Sequence, residues 1–156
     1  METTQADLLT DEIVSIEQAS SGKRLANYLI DLVSFYAMLF IFGIMIGLLF
    51  PESLGFWNGI AENVWLDRLF TMCMYAVYMA LVEGIFKGRT LGKLITGTRA
   101  VNEDGTPISF ITGFGRGLIH AVPFCAFSAL GTPCYPWHDQ WTKTYVVDLK
   151  LSVLPA

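Results

Sequence analysis

Four polar side chains open the first apolar stretch of the sequence at helical spacing. Arg24, Asn27, Asp31 and Ser34 stand three, four and three residues apart, so a helix places them on one face. Everything around them is apolar. Arg24 can reach back to water along its own stem. Asp31 lies about 10 Å deeper along the helix, too far for a direct salt bridge to Arg24. It needs a donor from another segment, a solvating cavity or a proton of its own. A carboxylate so placed could bind and release a proton or a cation. It could equally be part of a polar clasp between segments. Further along, Glu83 stands four residues before Lys87, a spacing that suits a helical ion pair. Arg116 opens the last apolar segment, and His138-Asp139 closes it.

Other chemistries find less support. Gly88-Arg-Thr-Leu-Gly-Lys93 resembles a phosphate-binding loop, but it is one residue short and Leu94 stands where a magnesium-holding hydroxyl belongs. His120, Cys125, Cys134, His138 and Asp139 have ligand chemistry without zinc spacing, so no metal and no cofactor are expected. The three cysteines include no CxxC pair and read as reduced packing residues. No Ser/His/Asp spacing points to a hydrolase, and the chain is expected not to be an enzyme. No basic stripe suggests nucleic acid.

The elements that must position these residues are those of a membrane protein. Hydrophobic residues make up 53% of the chain and charged ones only 15%, against about 25% charged in a typical soluble domain. Leu32–Phe50 is 19 residues without a charge, nearly enough to span a hydrocarbon core of about 30 Å. The expected fold is all-α integral membrane: two transmembrane helices, a broken or re-entrant third apolar segment, and a small cytosolic β element. Residues 1–20 read as an acidic cytosolic tail, partly disordered, with a short amphipathic element about Ile13–Ile16. Having no positive n-region, the tail is not a signal peptide. A single membrane domain follows over 21–150. Its first helix runs from about 24 to 50 and contains Gly43-Ile-Met-Ile-Gly47, a spacing that admits close helix approach. Residues 51–66 read as a loop whose Trp57 and Trp65 suit an interfacial belt, and the second helix covers about 67–86. A polar insert over 87–110 offers strands at Ile95–Val101 and Pro107–Phe110 around an Asn102–Gly105 turn. Residues 111–137 are apolar but broken by glycine and proline. Thr144–Leu154 alternates like a strand.

Basic residues set the orientation. With both termini and the insert inside, nine of the ten Lys and Arg residues are cytosolic and only Arg68 lies outside. A full third crossing gives seven against three. Both counts put the N-terminus in the cytosol. The strand at 144–154 also needs a partner, and the candidates lie in the cytosolic insert. Irregular backbone at membrane depth survives only where it is buried or lines a wet cavity, so 111–137 is expected to enter and return. Arg24, Asn27, Asp31, Glu83, Arg116, His138 and Asp139 then converge on the cytosolic half, with Lys93 nearby.

These residues carry a family likeness. Gly22-Lys-Arg24-Leu-Ala-Asn-Tyr-Leu-Ile-Asp31 and Trp137-His138-Asp139-Gln-Trp-Thr-Lys-Thr144-Tyr-Val-Val147 resemble the RDD family, named for one arginine and two aspartates. Arg24, Asp31 and Asp139 occupy those places. Gly88–Lys93, Asn102–Gly105 and Arg116 add to the resemblance, which covers about residues 20–148. The linker Gly131–Trp137 departs from it in having no basic residue. The resemblance implies a membrane-embedded protein of the bacterial cytoplasmic (inner) membrane, and transport of an unidentified ligand. Two readings stay open. One is ion exchange at Asp31, which with so few helices needs a homo-oligomer. The other is a structural or assembly subunit of a membrane complex, with the charged cluster as a packing clasp. In both, the lipid bilayer is a partner.

Overall fold

In the computed structural model, which describes residues 15–120 and 135–155, two long helices carry most of the apolar sequence. Helix α1 (Ser21–Leu49) starts where the Ser20 side chain accepts a hydrogen bond from the backbone N–H of Lys23. It stops at Phe50 because Pro51 disfavours helical backbone in the residue before it. A short 3-10 turn (Pro51–Ser53) leads into α2 (Leu54–Glu62). Asn63 then caps α3 (Val64–Ile85), its side-chain oxygen accepting from the N–H groups of Trp65 and Leu66. Helix α2 corrects the expectation of a loop over 51–66. Gly55 and Gly59 lower its helix propensity, and packing on α3 outweighs that.

Both α1 and α3 are long and apolar enough to cross a membrane. Their burial is inverted relative to a soluble helix. The buried residues of α1 are Arg24, Asn27, Asp31 and Phe35, while Phe40, Ile41 and Leu48 are exposed, Leu48 by 77%. In α3 the buried set is Ala76, Met79, Ala80, Glu83 and Gly84, and Trp65, Leu69 and Val77 face outward. A soluble amphipathic helix hides its apolar stripe. Hiding the charges and presenting the apolar side chains fits a surround of lipid.

The remaining elements gather at one end. They are α4 (Leu91–Thr96), β1 (Thr98–Asn102), α5 (Phe110–Ile119), α6 (Trp137–Thr142) and β2 (Thr144–Asp148). Strands β1 and β2 pair antiparallel, with Thr98 opposite Asp148 and Asn102 opposite Thr144. The expected partnership between insert and C-terminal strand is thus present, with shifted bounds. Residues 91–96, partly assigned to a strand on sequence grounds, are helical because the Thr90 hydroxyl caps the turn and Gly97 closes it at φ 71°. Pro107 makes only a bridge to Val101, and the Ser109 side chain then caps α5, so no second strand forms over 107–110. The Asn102–Gly105 turn closes through Gly105 N–H donating to Asn102 O at 2.9 Å. β2 ends at Asp148, where a turn begins, and Val153 makes a bridge to Ser15. Residues 15–19 are not loose tail: Ala19 N–H donates to Val146 O and Asp148 N–H to Glu17 O, both at 2.9 Å. Beneath the strands, Ala19, Ala100, Ile108 and Val146 form a small apolar core. The amphipathic element about Ile13–Ile16 falls partly, and the re-entrant course of 111–137 largely, outside the described residues.

Helices α3 and α5 meet through small residues. A Cβ on Gly117 would lie 2.2 Å from the Ala80 backbone, and one on Gly113 2.7 Å from Glu83 O. This contact, Gly113-Phe-Gly-Arg-Gly117 against Ala80 to Gly84, is one close helix approach, and Gly92 of α4 against Asn27 of α1 is another. The sequence pointed instead to Gly43 and Gly47, but a Cβ on Gly43 would meet nothing within 4 Å.

Candidate functional site

The turn structure of α1 delivers Arg24, Asn27 and Asp31 to one buried face, as their spacing requires. Ser34 continues the row but serves the helix pair, its hydroxyl lying 2.9 Å from Tyr78 Oη. Between them the three deeper residues hold two different structures.

Asp31 meets α4. Its Oδ2 accepts from the Thr90 hydroxyl at 2.6 Å, and its Oδ1 accepts from the backbone N–H of Gly92 at 2.8 Å. The approach requires glycine at 92, where a Cβ would lie 2.4 Å from Asn27 O. Asp31 therefore acts as a remote cap on the first turn of α4, supplying acceptors to donors the helix cannot satisfy internally. Asn27 sits beside it. Its amide is satisfied with the nitrogen donating to Gly92 O at 3.1 Å, Lys23 O at 3.2 Å and the Thr96 hydroxyl, while its oxygen accepts from the Thr98 hydroxyl at 2.9 Å. Asp31 and Asn27 together bind α1 to α4 and the start of β1.

Arg24 meets α6. Its Nη1 donates to Asp139 Oδ2 at 2.6 Å, its Nε to Ala19 O and its Nη2 to Val146 O, both at 3.2 Å. From Asp139 the charges alternate inward. Arg116 Nη1 lies 2.7 Å from Asp139 Oδ1 and Arg116 Nε lies 2.9 Å from Glu83 Oε1. Glu83 Oε1 also accepts from Lys93 Nζ, and Arg116 Nη1 also contacts the Thr144 hydroxyl. The result is one line, Arg24–Asp139–Arg116–Glu83–Lys93, running from α1 through α6, α5 and α3 to α4. Glu83, Arg116 and Asp139 have no measurable exposure. With Asp31 counted, three cations stand against three carboxylates, the balance that makes burial of so much charge tolerable.

Two histidines flank the line. His120 Nε2 lies 3.8 Å from Glu83 Oε2, and His138 Nε2 lies 3.5 Å from Asp139 Oδ1. Their rings lie close together, with centroids 4.3 Å apart. Burial, and then the neighbouring His120 and Arg116, push the His138 imidazole well below its usual range. Glu83 Oε2, Arg116 Nη2 and His120 Nε2 are buried without a hydrogen-bond partner.

The expected convergence is thus divided. Arg24, Glu83, Arg116, His138 and Asp139 do assemble. Asp31 and Asn27 share the face but bond to α4, and Asp31 makes no ion pair among the described residues. Glu83 does not pair with Lys87, which leaves the helix at φ 48°. It pairs with Lys93 and Arg116 instead. Spacing along the chain does not single out Lys93, Thr90, Thr98 or Thr144 as site residues. The one available signal was the Gly88–Lys93 run, whose lysine and threonine serve carboxylates rather than a phosphate. No group of three or more His, Cys, Asp or Glu among the described residues could hold a metal.

An uncharacterized protein of Bacillus subtilis (strain 168), YckC, is 31% identical over 65 residues, which is 42% of this chain and 43% of that protein. No solved structure matches. The model of the RDD family matches residues 18–153, from just before the Arg24–Asp31 face to just beyond β2. The chain, with its paired Arg24 and Asp139 and its capping Asp31, belongs to the RDD family, a membrane-associated family.

Proposed function

We propose that this protein is a non-enzymatic integral protein of the bacterial cytoplasmic membrane, its N-terminus in the cytosol, in which the buried charges clasp the helices into one unit that serves a membrane assembly. The observation that carries this reading is the continuous pairing from Arg24 to Lys93. Each link joins a different element, so the line as a whole crosslinks α1, α6, α5, α3 and α4. Asp31, the natural candidate for a moving ion, is instead committed to two hydrogen bonds on α4. The exposed apolar halves of α1 and α3 suit lipid and a second copy or partner helix. Nine of ten basic residues on one side support the orientation.

Ion exchange, one form of the ligand transport that the RDD resemblance implies, is the second reading. It is favoured by the unsatisfied Glu83 Oε2, which faces His120 Nε2 across 3.8 Å inside the cluster. A proton or small cation could bind there.

Proteoliposome flux separates the two. The clasp reading expects no proton- or sodium-coupled flux from the wild type, and loss of accumulation in Arg24→Gln, Asp139→Asn and Asp31→Asn. Coupled flux abolished by Asp31→Asn or Glu83→Gln in a variant that folds normally would overturn it in favour of exchange.

A further inference from the structure

Outside the charged line, three cations stand together with no acid paired to them among the described residues. Lys87 and Arg89 lie in the turn that leaves α3, and Arg99 lies on β1 beside it. The turn is tied to the strand by Ala100 N–H donating to Gly88 O at 2.9 Å and by Arg99 Nε donating to Lys87 O at 3.4 Å. None of the three makes a salt bridge among the described residues. Arg89 Nε is buried with no hydrogen-bond partner. Burial and the Arg89 charge both press the Arg99 guanidinium below its usual range, the mark of like charges held close without a counter-ion. The buried cations among the described residues, Arg24, Lys93 and Arg116, each have a carboxylate. A folded chain that leaves a buried guanidinium donor unused beside two further cations lacks a ligand of opposite charge.

The position indicates what that ligand is. The turn follows directly on Ile85 and Phe86, both exposed apolar residues at the end of α3. On the membrane reading given above, on which this inference rests, that is the cytosolic water–lipid boundary, where anionic headgroups lie and basic residues bind them.

We propose that Lys87, Arg89 and Arg99 form a binding site for a phosphate group, occupied in the membrane by the headgroup of an anionic phospholipid of the inner leaflet. The guanidinium of Arg89 supplies the buried donor, Arg99 a second fork from the strand, and Lys87 a mobile point charge at the rim.

The test uses the full chain purified in zwitterionic detergent. Binding of fluorescent short-chain phosphatidylglycerol is measured against phosphatidylcholine, with inorganic phosphate as competitor. The wild type is expected to prefer phosphatidylglycerol. Arg89→Gln and Arg99→Gln are each expected to weaken that binding by about 5-fold, the value of one basic residue at a lipid surface. The thermal midpoint of Arg89→Gln in detergent alone should be unchanged, since Arg89 has no ion partner to lose, and Arg99→Gln should lower it by no more than its one exposed hydrogen bond to Lys87 O. Should either variant fail to fold, the exposed Lys87→Gln carries the same expectation. Displacement by millimolar phosphate assigns the site to free phosphate, and persistence of binding assigns it to the lipid. Equal affinity for the two lipids in the wild type with no phosphate binding, or no change in any of the three variants, overturns the site. Co-flotation of the wild type with vesicles is scored separately: its failure sinks the membrane reading, while the phosphate arm still decides the site.

Discussion

Arg24 and Asp139, 115 positions apart in the chain, meet in a buried ion pair at 2.6 Å. Neither is an isolated charge. Asp139 is held from its other oxygen by Arg116, and Arg24 is held by two backbone carbonyls, Ala19 O from its own approach segment and Val146 O from β2. The pair therefore locks the entry of the first long helix to the C-terminal strand. A buried charge so surrounded adds little net stability when the whole network is present, but it is expensive to leave without its partner.

Removing the centre of the line has the largest effect. Arg116→Met removes the cation between Glu83 and Asp139 and leaves each buried carboxylate with one partner, Lys93 or Arg24. It should destabilise the protein by about 3–5 kcal/mol, read from unfolding in detergent with a denaturing surfactant. A triple change, Arg116→Met with Glu83→Leu and Asp139→Leu, should not recover that loss, because Lys93 and Arg24 are then buried without their carboxylates.

The helix crossing offers a contrast between two glycine pairs. Gly117→Ala places a methyl against the Ala80 backbone and should destabilise by about 1–3 kcal/mol, with loss of the Arg116–Glu83 geometry. Gly43→Ala meets nothing inside the chain and should change monomer stability by under about 0.5 kcal/mol. Thermal midpoints of the two variants, side by side, check the assignment of the packing motif to 113–117.

The cap on α4 predicts a particular pattern at Asp31. Thr90→Val removes one of its two donors inside a buried site and should cost about 1–3 kcal/mol. Thr90→Ser keeps a hydroxyl and should retain most of the stability. Faster amide exchange in Leu91–Thr96 for the valine variant, with α3 unchanged, would localise the effect. Equal exchange in the two variants would remove Asp31 from the capping role.

Acid sensitivity should trace to the sheet end. The hydrogen bond from Lys23, with a further one from the Lys150 backbone N–H, holds the Asp148 carboxyl below the usual carboxylate range. A carboxylate with a depressed folded value contributes stability above its unfolded pKa of about 3.9 and loses it as pH falls through the folded value. Stability of the wild type should therefore decline below about pH 4, and Asp148→Asn should be less stable at neutral pH with a shallower acid limb. Denaturation profiles from pH 3 to 7 measure both.

Sidedness is open to labelling. On the proposed orientation, cysteine placed at Asp104 should be shielded from an impermeant thiol reagent in intact cells, and cysteine placed at Glu62 should react. The reverse pattern would invert the topology.

Composition and periodicity carried the sequence reading a long way. A chargeless run after Asp31 and a second apolar stretch ending near Phe86 are local properties, so the two long helices and the face shared by Arg24, Asn27 and Asp31 were legible from spacing alone. The alternation at Thr144–Leu154 announced a strand, and the family likeness rested on motifs written in the chain. Within one segment, helical or strand geometry determines which side chains align, and sequence suffices for that.

Partners across segments are another matter. Glu83 stood four residues from Lys87, and spacing favoured that pair. The chain turns out of the helix at Lys87, and Glu83 instead meets Lys93 and Arg116. Gly43 and Gly47 had the same spacing as Gly113 and Gly117, and of the two pairs the second meets the backbone of a neighbouring helix. Asp31 shared a face with Arg24, yet α4 claimed it. Sequence by itself determined that this protein carries charges on apolar helices. Tertiary structure alone decided which charges meet, because pairing depends on how closely backbones approach and in what register, and many arrangements satisfy the same one-dimensional pattern.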